Sequence, residues 1–313
     1  MAIQMTEQEF YQYVENGGKV DATDPMPADY KREVARIMSF QGLAEIVGTM
    51  LSAVWVPKAP SILRKMMYAA KAQDEMGHGH ILIRQCEDLG LSREQIIEDY
   101  IAGKSKLLNI FHYKPESFEE NAIAMLLQNT AAIVQFQSLV KGSYLPYVRA
   151  LRKIMKEESF HYNLAIDMVK YVTANGTDKQ RQIIQDAIDT WYPRMLAYFG
   201  PSEKGKPLSN ALKWRIKCDT NDDLREAWLD KIVPLLSSLG YTIHDPLLKK
   251  DEHTGRWNYT EVDWEEVKRV INGGGPYSAY WKEKVKKSYE ETAWIRDVVD
   301  RYNAMQAAAV AGA

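Results

Sequence analysis

The tetrapeptides Glu75-Met-Gly-His78 and Glu158-Ser-Phe-His161 confine this chain to a narrow set of folds. On an α-helix, residues i and i+3 share a face, so each pair aims one carboxylate and one imidazole at the same point. Two such helices are half of what a helical bundle needs to hold two metal ions; the other two helices each add an oxygen donor. Spacing supplies those donors. The interval from Glu45 to Glu75 matches, to within one position, the interval from Asn129 to Glu158. The order is one helix-hairpin unit used twice. The third helix carries an amide where the pattern calls for a carboxylate.

A single Glu-x-x-His arises by chance and usually marks a solvated helix face. Here two copies recur in separate halves of the pattern, each among apolar neighbours: Met76, Ile81 and Leu82 around the first, Ile154, Met155 and Phe160 around the second. His80 sits two positions from His78 on another face and reads as a surface or outer residue. His112, His244 and His253 fall in loops with no ligand spacing. Cys86 and Cys218 are too few for a disulfide framework, and Cys86 reads as a small core residue.

Punctuation residues divide the chain. Residues 1–26 are polar and are expected to extend over the surface. Pro27 opens a helix over residues 28–52, stopped by Val56-Pro57. Pro60 opens a second helix to about Leu89, closed by Gly90. Ser92-Arg-Glu-Gln95 resembles a capping box for a short helix ending at Gly103. Long helices follow over residues 117–141 and 144–174. Thr177 caps a fifth that reaches Phe199, with Pro193 as an expected kink. The bundle helices are then on the order of 40 Å long. A long connection joins the two pairs, which is the ferritin-like topology.

Residues 27–200 therefore read as the bundle and residues 201–313 as a mostly helical C-terminal region. There, Thr220-Asn-Asp-Asp223 caps a helix to Ser238, and Trp257 to Val262 alternates like a short hairpin. Asn272 to Pro276 reads as a loop, and a last helix covers residues 279–305. The fold class is all-α: a ferritin-like four-helix bundle with a long crossover and a helical C-terminal extension.

The 313 residues carry 40 basic and 42 acidic side chains, a net charge of −2. That balance gives no reason to expect nucleic acid or a membrane surface as partner. No apolar run approaches the roughly 20 residues of a membrane span. Isolated cysteines and the lack of a basic-then-apolar leader point to the cytoplasm.

Two non-haem irons suit a set of oxygen donors with one imidazole each. In such a centre Glu45 is a terminal or bridging ligand, Glu75 and Glu158 bridge, and His78 and His161 each bind one ion. These carboxylates are also the candidate catalytic groups, with O₂ as oxidant. Asn129 can ligate through its carbonyl oxygen but brings no negative charge. The centre is then one unit more positive, which weakens at least one metal position.

Several further stretches occur in order between about residues 25 and 300: Glu45-Ile-Val-Gly48, Lys71-Ala-Gln-Asp-Glu-Met-Gly-His-Gly79, Ala131-Ala-Ile-Val134, Lys156-Glu-Glu-Ser-Phe-His161, Phe199-Gly-Pro201, Thr220-Asn-Asp-Asp-Leu-Arg225 and Ile271-Asn-Gly273. Together they resemble the catalytic subunits of the phenylacetyl-CoA epoxidase family, the multicomponent ring 1,2-monooxygenases of aerobic phenylacetate catabolism. The resemblance implies a ferritin-like fold and iron ligation by Glu45, Glu75, His78, Glu158 and His161. It also implies a complex with a related helical subunit that lacks metal, a small accessory subunit, and a flavin and iron–sulfur reductase fed by NADPH. Asn129 stands where that family usually has Asp, and Phe40-Gln-Gly-Leu-Ala44 replaces a His-rich stretch. An acyl-CoA substrate needs cationic anchors for its phosphates. Arg36, Lys71, Lys104 and Lys106 occupy matching basic positions. Two other readings stay open: a non-catalytic structural subunit of such a complex, and a ferritin-like iron-oxidising protein.

Overall fold

A computed structural model describes residues 5–311. Its long helices begin where the sequence supplies caps. Helix α1 spans Glu7–Glu15, and α2 spans Ala28–Ala53 behind Pro27. Ser61 caps α3, Ile62–Asp88, by accepting a bond from the Arg64 amide. Ser92 caps α4, Arg93–Ile101, and a 3₁₀ turn at Asn109–His112 completes the crossover. Ser117 caps α5, Phe118–Leu139, and α6 runs over Leu145–Asn175 with Pro146 in its first turn. Thr177 and Gln180 form a full capping box on α7, Asp178–Leu196.

Helices α2 and α3 pack as one hairpin, α5 and α6 as the other, and α3 meets α6 between them. This is the expected all-α, ferritin-like arrangement. Two glycines allow the first hairpin to close tightly at the level of the Glu-x-x-His motif. A Cβ on Gly79 would lie 3.1 Å from the Gly42 carbonyl oxygen and 3.0 Å from the Ile46 side chain. The second hairpin is enclosed further. α5 buries residues on all sides, Ile123, Leu126, Leu127, Ala131 and Val134 among them, because α7 and a later helix cover its outer face.

That later helix is α9, Asn221–Ser238, capped by Thr220 and Asp223; the single turn α8, Asn210–Lys213, precedes it. Trp228 of α9 is fully enclosed, stacks on Tyr192 at 6.0 Å and donates its indole N–H to the Leu127 carbonyl. Trp228→Ala is expected to lower stability by about 3–5 kcal/mol, read from the denaturant midpoint.

Several expectations shift. The N-terminal stretch is not merely a surface extension. Thr6 and Glu9 form a capping box, and Phe10 and Val14 are buried, with Phe10 against Tyr30 and Trp214 at 5.0 and 5.9 Å. One i,i+4 apolar pair was enough to dock a helix that average polarity hid. The hairpin starts earlier than expected: β1, Lys249–Lys250, pairs with β2, Trp257–Asn258. Short α10, Trp264–Arg269, runs into a π turn at Val270–Gly274, where a loop was expected; Gly273 there has φ of 106°. The last helix is two, α11 at Ser278–Glu291 and α12 at Ala293–Ala311, broken at Thr292. α12 exposes Trp294, Ile295, Val298, Val299, Tyr302 and Met305. No helix among the described residues is long and apolar enough to cross a membrane.

Candidate metal centre

Each bundle helix delivers its donor to one point. α2 brings Glu45, α3 brings Glu75 and His78, α5 brings Asn129, and α6 brings Glu158 and His161. All six are buried. Glu45, Glu75, His78 and Glu158 each place a ligand atom within 4.8 Å of the others. His161 stands just outside that group but faces two of its members.

The two imidazoles are arranged alike. His78 Nδ1 lies 3.8 Å from Glu45 Oε2 and 3.5 Å from Glu158 Oε1. His161 Nδ1 lies 3.6 Å from Glu75 Oε1 and 3.4 Å from Glu158 Oε2. The two oxygens of Glu158 are thus divided between two different rings. These separations exceed hydrogen-bond length. Neither Nδ1 has a hydrogen-bond partner among the described residues. A buried ring nitrogen left without a partner is unfavourable, and a cation held between nitrogen and carboxylate oxygens removes the penalty. Imidazole and carboxylate donors of this kind suit a divalent transition metal such as iron. The residues present fit such an ion.

Opposite nitrogens are braced by acids that the sequence pattern did not single out. His78 Nε2 meets Glu157 Oε2 at 2.9 Å, and His161 Nε2 meets Asp74 Oδ2 at 3.3 Å. An Nε2–H donated outward leaves the Nδ1 lone pair facing the centre. The bracing is crossed: Asp74 on α3 holds the ring of α6, and Glu157 on α6 holds the ring of α3. Each acid immediately precedes a motif glutamate, and that Asp/Glu-Glu-x-x-His pattern was a usable signal. Glu157→Ala is expected to lower metal affinity about 10- to 100-fold, measured by competition with a chelating dye. Glu157 is partly exposed, so the fold should tolerate the change.

Electrostatics reflect crowding. Burial and the neighbouring Glu75 charge push the Glu45 carboxyl up to about 8. For Glu75, burial acts upward too, but the Lys71 ammonium outweighs it and holds the group at about 2. His78 is driven the other way by burial, yet Glu45 and the other carboxylates raise it to about 9. A divalent ion held here would therefore displace protons from this cluster.

Lys71 is the clearest displacement from expectation. It is only 4% exposed and its ammonium pairs with Glu75 inside the bundle, so it cannot serve as a rim anchor. The three other cations do line one groove. Arg36, Lys104 and Lys106 border a cavity of about 340 Å³ with Phe40 and Leu43, and Arg36 is partnered there by Glu33.

Arg36 and Phe40 also line a second cavity of about 390 Å³ that reaches Glu45, Glu75, Asn129 and Glu158. Arg36 and Phe40 of α2 are thus common to the basic groove and to the cavity that reaches the carboxylates. Asn129 borders it, and its amide nitrogen has no partner among the described residues. Two further lining groups carried no sequence signal. Tyr147 donates its hydroxyl to Gln41, and Gln41 donates to Glu45 Oε1 at 3.2 Å. Tyr198 carries a phenol whose pKa is raised by burial and by the Glu45, Glu158 and Glu75 charges.

Among the other histidines, His80 is exposed, as expected. His112 is not a free loop residue: it is buried, with Nδ1 2.6 Å from Ser278 Oγ at the start of α11. His244 pairs with Asp189 at the surface, and Cys86 is a buried core residue.

An all-α bundle with a buried carboxylate–imidazole cluster at its middle defines the class. The chain belongs to the family described as phenylacetic acid catabolic protein, whose model matches residues 5–294. It is 37% identical over 296 residues to one subunit of the 1,2-phenylacetyl-CoA epoxidase of Escherichia coli (strain K12), across 94% of this chain and 95% of that protein.

Proposed function

We propose that this chain is the oxygenase subunit of a multicomponent di-iron monooxygenase that epoxidises the ring of an aromatic acyl-CoA, with phenylacetyl-CoA as the first candidate. The observation that carries this reading is Glu158, whose two oxygens face two separate, unpartnered imidazole nitrogens. Glu45, Glu75, His78, Glu158 and His161 would hold the ions, with the Asn129 carbonyl oxygen as a neutral sixth donor. Bound there, iron would supply the electrons that divide O₂ between the substrate and water. Overall, a ring double bond, O₂, two electrons and two protons give an epoxide and water. The electrons come from NADPH through a separate flavin and iron–sulfur reductase.

The chain's own residues do the rest. Arg36, Lys104 and Lys106 attract the CoA phosphates at the groove. Phe40, Phe111 and Phe136 supply apolar wall in the cavity that reaches the carboxylates, where the acyl group would pack. Tyr147 and Gln41 hold Glu45 in orientation through their relay. The relative's name makes it part of an assembly, which supports partner proteins for this chain as well. A related helical protein that lacks metal and a small accessory one complete the proposed complex, and the apolar stripe of α12 offers one of them a face.

A second reading, a structural role with weak metal binding, is favoured by the Lys71 ammonium on Glu75 and by uncharged Asn129. Metal analysis after anaerobic Fe(II) loading separates the two. About two irons per chain, with NADPH consumption that depends on phenylacetyl-CoA once reductase is added, is the expected result. A chain that stays iron-free supports the structural role and overturns the oxygenase reading.

A further inference from the structure

Hydrogen-bonding groups line the cavity that reaches the carboxylates. Gln41 and Tyr147 are committed to each other and to Glu45. Gln128, Asn129, Gln135 and Tyr198 border the same space. The Asn129 amide N–H₂ is buried with no partner among the described residues. Nor do the side chains of Gln128, Gln135 and Tyr198 make a hydrogen bond among those residues. Polar groups in such a place are tolerated because something else meets them.

Their positions sort them. On α5, Gln128 and Asn129 lie beside the carboxylates, and both also border the small cleft that holds Lys71 and Glu75. Tyr198, just past the end of α7, lines the same cavity as Glu45, Glu75, Asn129 and Glu158. Gln135 sits six positions on from Asn129, about 9 Å along the helix toward the mouth. That separation matches the two ends of an arylacetyl group. Gln135 is placed for the thioester carbonyl, leaving Gln128, Asn129 and Tyr198 for the ring end.

All three can donate. A carboxylate at position 129 would only accept, whereas the amide can offer an N–H to a ligand oxygen while its carbonyl faces the metal side. A plain phenyl ring would leave the buried Asn129 N–H₂ unmet and would offer nothing to the half-buried Gln128 and Tyr198, and an unmet buried polar group is what a site uses to reject a ligand lacking the matching oxygen.

We infer that the acyl group for which this cavity is built carries a hydroxyl oxygen on its aromatic ring, received by Gln128, Asn129 and Tyr198. The inference rests on the acyl-CoA reading above. It would make this chain favour oxygenated arylacetyl thioesters over the bare phenyl ester.

Binding tests it without turnover. The intact chain is titrated calorimetrically with phenylacetyl-CoA, with 3-hydroxy- and 4-hydroxyphenylacetyl-CoA, and with CoA alone. One hydroxylated ester is expected to bind about 10- to 100-fold more tightly than the phenyl ester. Tyr198→Phe and Gln128→Leu preserve volume, and each should shrink that ratio by about 3- to 10-fold. Because either variant alone is informative, misfolding of one, seen by circular dichroism, leaves the other to decide. Equal affinity for all three esters, or a preference that survives both substitutions, overturns the inference and leaves the acyl-CoA reading standing. Binding of none of the esters overturns both.

Discussion

A chain carrying Glu158→Ala is expected to fold and to lose its metal. Glu158 is the one carboxylate whose two oxygens face the two imidazoles, at 3.5 Å from His78 and 3.4 Å from His161. Removing a group shared by both positions should lower affinity by about 100-fold or more, beyond what an outer hydrogen-bonding partner contributes. Iron content after anaerobic loading and desalting measures this directly. Circular dichroism of the metal-free variant checks that the fold is retained. Iron retained at the native level would mean that Glu158 is not shared.

Lys71→Met should act the opposite way. Its ammonium and Glu75 are both buried, and removing one partner of a buried ion pair destabilises by about 3–5 kcal/mol because the other charge remains. This loss should appear in the metal-free protein. A divalent cation at Glu75 replaces the missing positive charge, so metal should restore most of the stability. Denaturant titrations of native and variant chains, with and without Mn(II), give the four numbers required. Equal loss with and without metal would show that no cation reaches Glu75.

The bundle was legible because its information is local. Caps at Ser92, Thr177 and Thr220 set three helix starts, and the two Glu-x-x-His motifs fixed which faces turn inward. What the sequence hid was contact between distant segments. No periodicity says that Asp74 meets His161, which lies 87 positions away, or that Glu157 meets His78 at a distance of 79. Lys71 differs: it lies one turn before Glu75 on the same helix, an i,i+4 pair that shares the inward face, so its pairing was open to a reading of the spacing. The division of labour among Gln128, Asn129 and Tyr198 depends on a cavity that exists only after α2, α5 and the end of α7 converge.

The crossed bracing of the imidazoles also bears on how the centre assembles. Each hairpin holds an imidazole whose orientation is fixed by an acid of the opposite hairpin. Neither hairpin alone presents a correctly turned ring, however well its helices form. The two halves of the internal repeat are therefore not independent binding modules that happen to adjoin. In the proposed metal centre, ion capture would be coupled to their docking, and a nascent chain with only the first hairpin made would have no correctly turned imidazole to offer.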